Sequence, residues 1–197
     1  MRIDTLGVVM KEMVAKNMAI CLCFSIGLCQ AQYVFIPDPA MRDWLNTNIP
    51  GVVDGSGFMD TTYAGIAGFT NGTIDAFFPW DQQDLTGIQY LDGLITLEIT
   101  TLNTDLYLPG FPMALEALTI SGYGGTSLPP LPASLTHLNL DIAASLADLP
   151  ALPSGLVSIS LYYLDSLTTL PMLPVGLTSL RLETRSEERR VGKECCR

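Results

Sequence analysis

Apolar residues recur through the second half of the chain in a fixed phase. Five segments share the pattern L-x-x-[LI]-x-[LI], running Leu94 to Ile99, Leu115 to Ile120, Leu135 to Leu140, Leu156 to Leu161 and Leu177 to Leu182, at spacings of 21, 20, 21 and 21 residues. A second motif keeps step with the first: Leu108-Pro-Gly-Phe-Pro112, Leu128-Pro-Pro-Leu-Pro132, Leu149-Pro-Ala-Leu-Pro153 and Leu170-Pro-Met-Leu-Pro174. The last two apolar positions of the first motif are two apart, so both face one side of a short strand. Successive copies are expected to stack as parallel strands about 4.8 Å apart. The second motif is barred from helix by its prolines. It should return in extended or polyproline-like form, with Leu128 and Leu131 and their equivalents pointing inward. One such turn cannot bury its own leucines, so stability must come from neighbouring turns.

The fold class expected is an α/β-type repeat solenoid. It has a short parallel β-sheet on a concave face, extended, polyproline or 3₁₀ turns on the convex face, and a helical N-terminal cap. Over about residues 85–182 the two motifs resemble the short class of bacterial leucine-rich repeats, whose L-P-x-L-P turns also occur in secreted effectors. The ninth repeat position, usually Asn in that family, is Leu102, Tyr123, Ala143 and Leu164 here. An asparagine ladder is therefore missing, and Ser145 and Ser166 are the candidates to satisfy the backbone groups it would serve.

Upstream, Asp38 suits an N-cap and Pro39 a first helical position. Met41, Trp44 and Leu45 then share one helical face, and Ile49-Pro-Gly51 ends the helix. The segment Ile36 to Leu45 resembles the leading region of secreted repeat proteins from Bacteroidetes-like bacteria, which implies a surface protein of that kind. Residues 32–65 are read as the cap, 66–184 as the repeats, and 66–93 as a degenerate first repeat. Within it Leu85, Ile88, Leu91 and Leu94 fall every third position, as a 3₁₀ turn requires. Asp54, Ser56, Gly57 and Asp60 offer oxygens at the density of a calcium loop, but the spacing departs from that motif and a polar turn is the better reading. Asn71-Gly72-Thr73 matches a glycosylation acceptor; in a bacterial chain it reads as a turn.

At the start, Lys11 and Lys16 precede the uncharged run Met18 to Cys29, followed by Gln30-Ala31-Gln32. A basic flank, a short apolar core and a small residue describe a signal peptide over 1–31, cut after Ala31. Twelve helical residues span about 18 Å, short of a bilayer core, so no permanent membrane span is expected. Lipidation of Cys29 is the alternative, and Leu28 fits it poorly. Residues 185–197 break the repeat spacing and bring five basic side chains within thirteen positions. They resemble translated adapter sequence and read as a non-native tail. All five cysteines, Cys21, Cys23, Cys29, Cys195 and Cys196, lie in these two end segments, so no disulfide framework serves the body.

The stretch 32–184 carries 15 acidic residues against Arg42 and Arg181 alone. Such a body repels phosphate backbones, and no nucleic-acid partner is expected. His137 is the only histidine, and no nucleophile elbow, P-loop or dinucleotide fingerprint occurs. The expectation is a non-enzymatic chain without cofactor or metal, exported to the medium or cell surface. It would bind a protein or surface glycan through outward strand positions: Thr96 and Glu98; Glu116 and Thr119; Thr136, His137 and Asn139; Ser158 and Ser160; Ser179 and Arg181. The rival is a structural spacer that displays a catalytic or sorting domain, because the face lacks the aromatic anchors typical of binding hot spots.

Overall fold

The computed structural model describes residues 32–77, 83–102 and 106–183. The expected signal segment 1–31 with its expected cut after Ala31, the segment 185–197 and all five cysteines lie outside the described residues.

The chain opens with β1 (Tyr33–Phe35) and α1 (Pro39–Asn48), followed by β2 (Phe58–Asp60), which pairs antiparallel with β1. Asp38 caps α1, its Oδ1 accepting from the amides of Ala40 and Met41 at 2.8 and 3.3 Å. Pro39 occupies the first turn, and Ile49 ends the helix by donating its N–H to the Leu45 carbonyl. Met41 and Leu45 are buried on the face expected. The β1–β2 ribbon was not foreseen, since each strand has only three residues and no alternation to betray it.

A single six-stranded parallel sheet follows, with every strand beside its sequence neighbour: β3 (Asn71–Ala76), β4 (Thr96–Thr101), β5 (Ala117–Ser121), β6 (His137–Asp141), β7 (Ser158–Tyr162) and β8 (Ser179–Glu183). Advancing one strand per coil gives a solenoid-like stack of about five turns with little helix. The apolar motif positions align across the ladder. Leu97, Leu118, Leu138, Ile159 and Leu180 form one register row, and Ile99, Ile120, Leu140, Leu161 and Leu182 the next. In β4 to β7 all of these are buried.

The two x positions between the first and second leucine have a shared backbone role. The Ile95 carbonyl accepts from both Glu116 and Ala117; Glu116 O from Thr136 and His137; Thr136 O from Val157 and Ser158; Val157 O from Thr178 and Ser179. Two successive amides converging on one carbonyl turn the chain locally. Both flanking leucines then face inward, although they lie three apart. The L-P-x-L-P segments carry neither helix nor strand, and their second proline closes a turn into the next strand. Pro112, Pro132, Pro153 and Pro174 accept from Leu115, Leu135, Leu156 and Leu177 at 3.1–3.3 Å. Leu108, Phe111 and Leu128 of these returns are buried and Leu131, Leu149 and Leu152 partly so. Leu170 and Leu173 in the last return are exposed: inward direction does not give burial where no further turn covers them among the described residues. The every-third leucines do form a 3₁₀ turn (Ile88–Tyr90), with Leu85, Ile88, Leu91 and Leu94 all fully buried.

Three expectations need correction. Asn71-Gly72-Thr73 is no turn; it opens β3, and Gly72 takes the inward slot in register with Leu97. A Cβ there would meet Leu94 at 3.3 Å and Phe69 at 3.4 Å, so the slot is already filled from the sides. Next, Ser145 and Ser166 do not stand in for an asparagine ladder. The amides near them are met by backbone: Leu146 N to Ala143 O, Ala147 N to Thr126 O and Ser166 N to Ala144 O. Hydroxyls serve elsewhere, Ser134 donating to the Met113 and Leu115 carbonyls and Thr101 to Ala76 O. Finally, Leu102 does not match Tyr123, Ala143 and Leu164, which are buried, for it stands 70% exposed. β4 runs one residue past β5, β6 and β7, so Thr101 takes the inward slot and Leu102 is turned out. In the later turns a left-handed residue, Gly122, Ile142 or Tyr163, follows the strand and swings the next side chain in.

The Asp54 loop is a polar turn as expected. Asp54 Oδ1 accepts from the amides of Ser56 and Phe58, both at 2.9 Å, which occupies that oxygen in holding the loop.

Candidate functional site

Alternation within each strand leaves one face of the sheet to solvent, and the ladder register arranges its side chains in rows. Thr96, Ala117, His137, Ser158 and Ser179 form the first; Glu98, Thr119, Asn139, Ser160 and Arg181 the second. Neighbours within a row are about 4.8 Å apart. Nine of the eleven candidate residues therefore stand in two straight lines on one surface. Glu116 and Thr136 do not: they precede β5 and β6, at the leading rim, where their carbonyls take the paired amides of the next turn.

A third row extends this face: Thr100, Ser121, Asp141, Tyr162 and Glu183. β3 lengthens all three rows with Asn71, Thr73 and Asp75. These residues were not identified from sequence because the outward positions were counted only between motif leucines. Alternation continues one residue beyond the last leucine, and that was the available signal.

Polar side chains stand on every strand of this face. Arg181 hydrogen-bonds Tyr162 on the neighbouring strand, which together with the nearby Glu183 carboxylate holds the guanidinium above its usual range. Asn139 Oδ1 and Asp141 Oδ1 are shielded from solvent and have no hydrogen-bond partner among the described residues. His137 is exposed, with Nδ1 and the Thr136 hydroxyl 2.8 Å apart, and that hydroxyl also reaches the Glu116 carbonyl at 3.0 Å. The phenol of Tyr123, raised above its usual value by burial, lies off this face and donates to Ser127 O. No family model, no curated protein and no solved structure matches the chain.

Hollows also open beside the rows, the first of the following reaching Glu183 of the third row. One of about 150 Å³ lies at the end of the stack against Leu161, Leu164, Leu170 and Leu182. Another, of about 350 Å³, is bounded by Ile142, Ala144, Tyr163 and Asp165 beside the left-handed turns. A further one, of about 370 Å³, sits between a 3₁₀ turn at Ala64–Gly68 and Gly93. Among the described residues no three His, Cys, Asp or Glu side chains are grouped to hold a metal ion, and no helix is long and apolar enough to cross a membrane. What the face offers is a regularly spaced set of hydroxyl, amide and carboxylate groups with one phenol, one imidazole and one guanidinium. Such an array can hydrogen-bond an extended polar ligand.

Proposed function

We propose that the chain is an exported leucine-rich-repeat module that binds a protein or a surface glycan through the solvent face of its sheet and performs no catalysis. The observation that carries this reading is the alignment of outward polar residues in three register rows, with the Asn139 and Asp141 oxygens left unpartnered inside them. Buried acceptors ordinarily find a partner, and a ligand that displaces the side chains covering them can supply one. Export rests on the basic, apolar and small-residue succession before Gln32. Sparse anchors speak for the second reading, a spacer that displays another domain: the rows hold no Trp or Phe, and one Tyr, Tyr162.

The test pairs localisation with binding. Fractionated source cells should yield a mature chain beginning at Gln32 outside the cytoplasm. Arrays of glycans and of cell-surface proteins should show a ligand that is lost on Asn139→Ala and Tyr162→Ala. Retention by both variants of every ligand found would leave only the spacer, and an unprocessed cytoplasmic chain would remove export.

A further inference from the structure

We propose that the hollow bounded by Ile142, Ala144, Tyr163 and Asp165 seats a basic side chain of a protein partner. The inference rests on the reading of the chain as a binding module and names the class of partner. One pair of slots in two consecutive turns builds the hollow. Gly122 N donates to Asp141 O, Ile142 N to Tyr162 O and Tyr163 N to Glu183 O, so these three residues leave their strands at equivalent points. Two residues further on stand Gly124, Ala144 and Asp165. The earliest of the three turns, with glycine in both slots, contributes no side chain to the hollow.

The backbone here works against the residues it holds. Ile142 and Tyr163 have φ of 53° and 55°, a region that a β-branched or bulky residue rarely enters. Burial does little to offset that strain, since the two side chains are 53% and 40% exposed. Gly122 fills the same slot one turn earlier, so the turn itself does not require a side chain there. Strain kept at exposed positions that share a hollow points to a ligand.

The chemistry of the hollow and the charge of the body together select the occupant. An aliphatic side chain suits the methylene stem of a lysine or arginine, and a phenol ring and a carboxylate suit its charged head. Asp141, next to Ile142 in the chain, adds negative charge nearby. Among residues 32–184 the bases are Arg42 and Arg181, and both are engaged elsewhere. Arg42 donates to the Ile36 and Pro37 carbonyls, and Arg181 hydrogen-bonds Tyr162. Fifteen acids against those two bases attract a cationic segment and repel an acidic one. A neutral glycan gains nothing from that charge.

The experiment is calorimetric titration of the full chain, under reducing conditions, with nona-arginine and with maltoheptaose as the neutral probe. Salt at about 0.15 M screens attraction between distant surface charges. Nona-arginine should bind, and Ile142→Gly, Tyr163→Asn and Asp165→Asn should each weaken it roughly fivefold or more. Glycine and asparagine tolerate left-handed backbone, so circular dichroism should report these variants folded. Asp148→Asn, which removes an exposed acid outside the hollow, should change the affinity less than about twofold. Ile142→Gly is the sharpest arm: it should lose binding while keeping or gaining stability, which a residue with a purely structural role would not do. No binding of nona-arginine would overturn the proposal, as would equal losses in Asp148→Asn and the hollow variants. Maltoheptaose bound at a site that the same variants abolish would overturn it too. Asn139→Ala and Tyr162→Ala test the rows instead, and neither residue lines the hollow, so a failure there is told apart from a failure here.

Discussion

At the N-terminal end of the sheet, the Trp44 indole of α1 donates to the Thr73 carbonyl at 2.8 Å and packs edge-on against Phe69, and the inward Ile74 and Ala76 of β3 are completely buried. At the other end, Leu180 and Leu182 of β8 occupy the same inward slots and are 42% and 48% exposed. The two strands have the same backbone form and differ in what the described residues place beyond them. An L-x-x-L-x-L segment supplies a strand and an inward direction; burial belongs to the pair of turns that flank it, as a nearest-neighbour stack requires. Sealing the first end took a helix, a two-stranded ribbon and a carboxylate. Asp38 Oδ2 accepts from Gln83 N at 2.6 Å and Asp84 N at 3.0 Å while Oδ1 caps α1, so one side chain fastens the cap to the chain that leads into the next coil.

The sharpest way to expose this difference is the same truncation made in the middle and at the end. Leu138 lies between β5 and β7 and is 2% exposed. Leu138→Ala should cost about 2–5 kcal/mol in urea denaturation, the range for emptied core sites. Leu182→Ala, which removes a side chain half in water, should cost below about 1 kcal/mol in the monomer. Equal losses would mean that the register rows do not describe the core.

A second contrast uses one slot in consecutive turns. Gly122, Ile142 and Tyr163 each follow a strand with positive φ, +79°, 53° and 55°. Left-handed backbone is costly for a β-branched residue, by about 1–2 kcal/mol, and Ile142 is exposed and buries little in return. Ile142→Gly should therefore leave stability unchanged or raise it by up to about 1 kcal/mol, the strain released being offset in part by the freedom glycine gains in the unfolded chain. Gly122→Ala should do the reverse and cost more than about 1 kcal/mol. A Cβ there would run into the Thr101 carbonyl, which is present because β4 is one residue longer than its successors. A loss at Gly122 and none at Ile142, read from thermal unfolding midpoints, is the outcome expected.

These positions also mark the limit of what the sequence made legible. The leucine spacing fixed strand direction, register and the extended returns, because period and proline chemistry leave few alternatives. The same spacing could not reveal that β4 carries an extra inward residue: Leu102 and Tyr123 occupy equivalent motif positions, and only the long-range placement of Thr101 between Ala76 and Gly122 separates them. On the sheet face, nine candidates were found by alternation and the row of Asp141, Tyr162 and Glu183 was missed by stopping at the last leucine. Asp38 was read as a cap from its neighbours in sequence. Its contact with residues 83 and 84 bridges sequence separations of 45 and 46, which no local pattern encodes.

A smaller effect is expected where a hydrogen bond is made at the surface. The Thr136 hydroxyl donates to the Glu116 carbonyl at 3.0 Å, and that carbonyl already accepts the amides of Thr136 and His137. Removing a third donor from a satisfied acceptor near water leaves nothing buried and unpaired. Thr136→Ala should stay within about 0.5 kcal/mol of the parent, and a loss comparable to that of Leu138→Ala would place Thr136 in the core rather than on the rim.

The smallest effect concerns the segment beyond β8. If the half-exposed state of Leu180 and Leu182 reflects a turn with nothing apolar beyond it, then residues 185–197 contribute no burial to the stack. Their composition agrees: one valine among eight charged side chains, two cysteines, a serine and a glycine offers almost no area to remove from water. Deleting 185–197 should leave the midpoint of thermal unfolding unchanged within error, measured under reducing conditions and at a concentration where the chain is monomeric. The comparison between the ends then stands, with one sealed by tertiary structure and the other not. A deletion that lowered the midpoint by several degrees, and lost amide protection first in β7 and β8, would show instead that this segment caps the stack, and the two ends would differ in the means of sealing rather than in whether they are sealed.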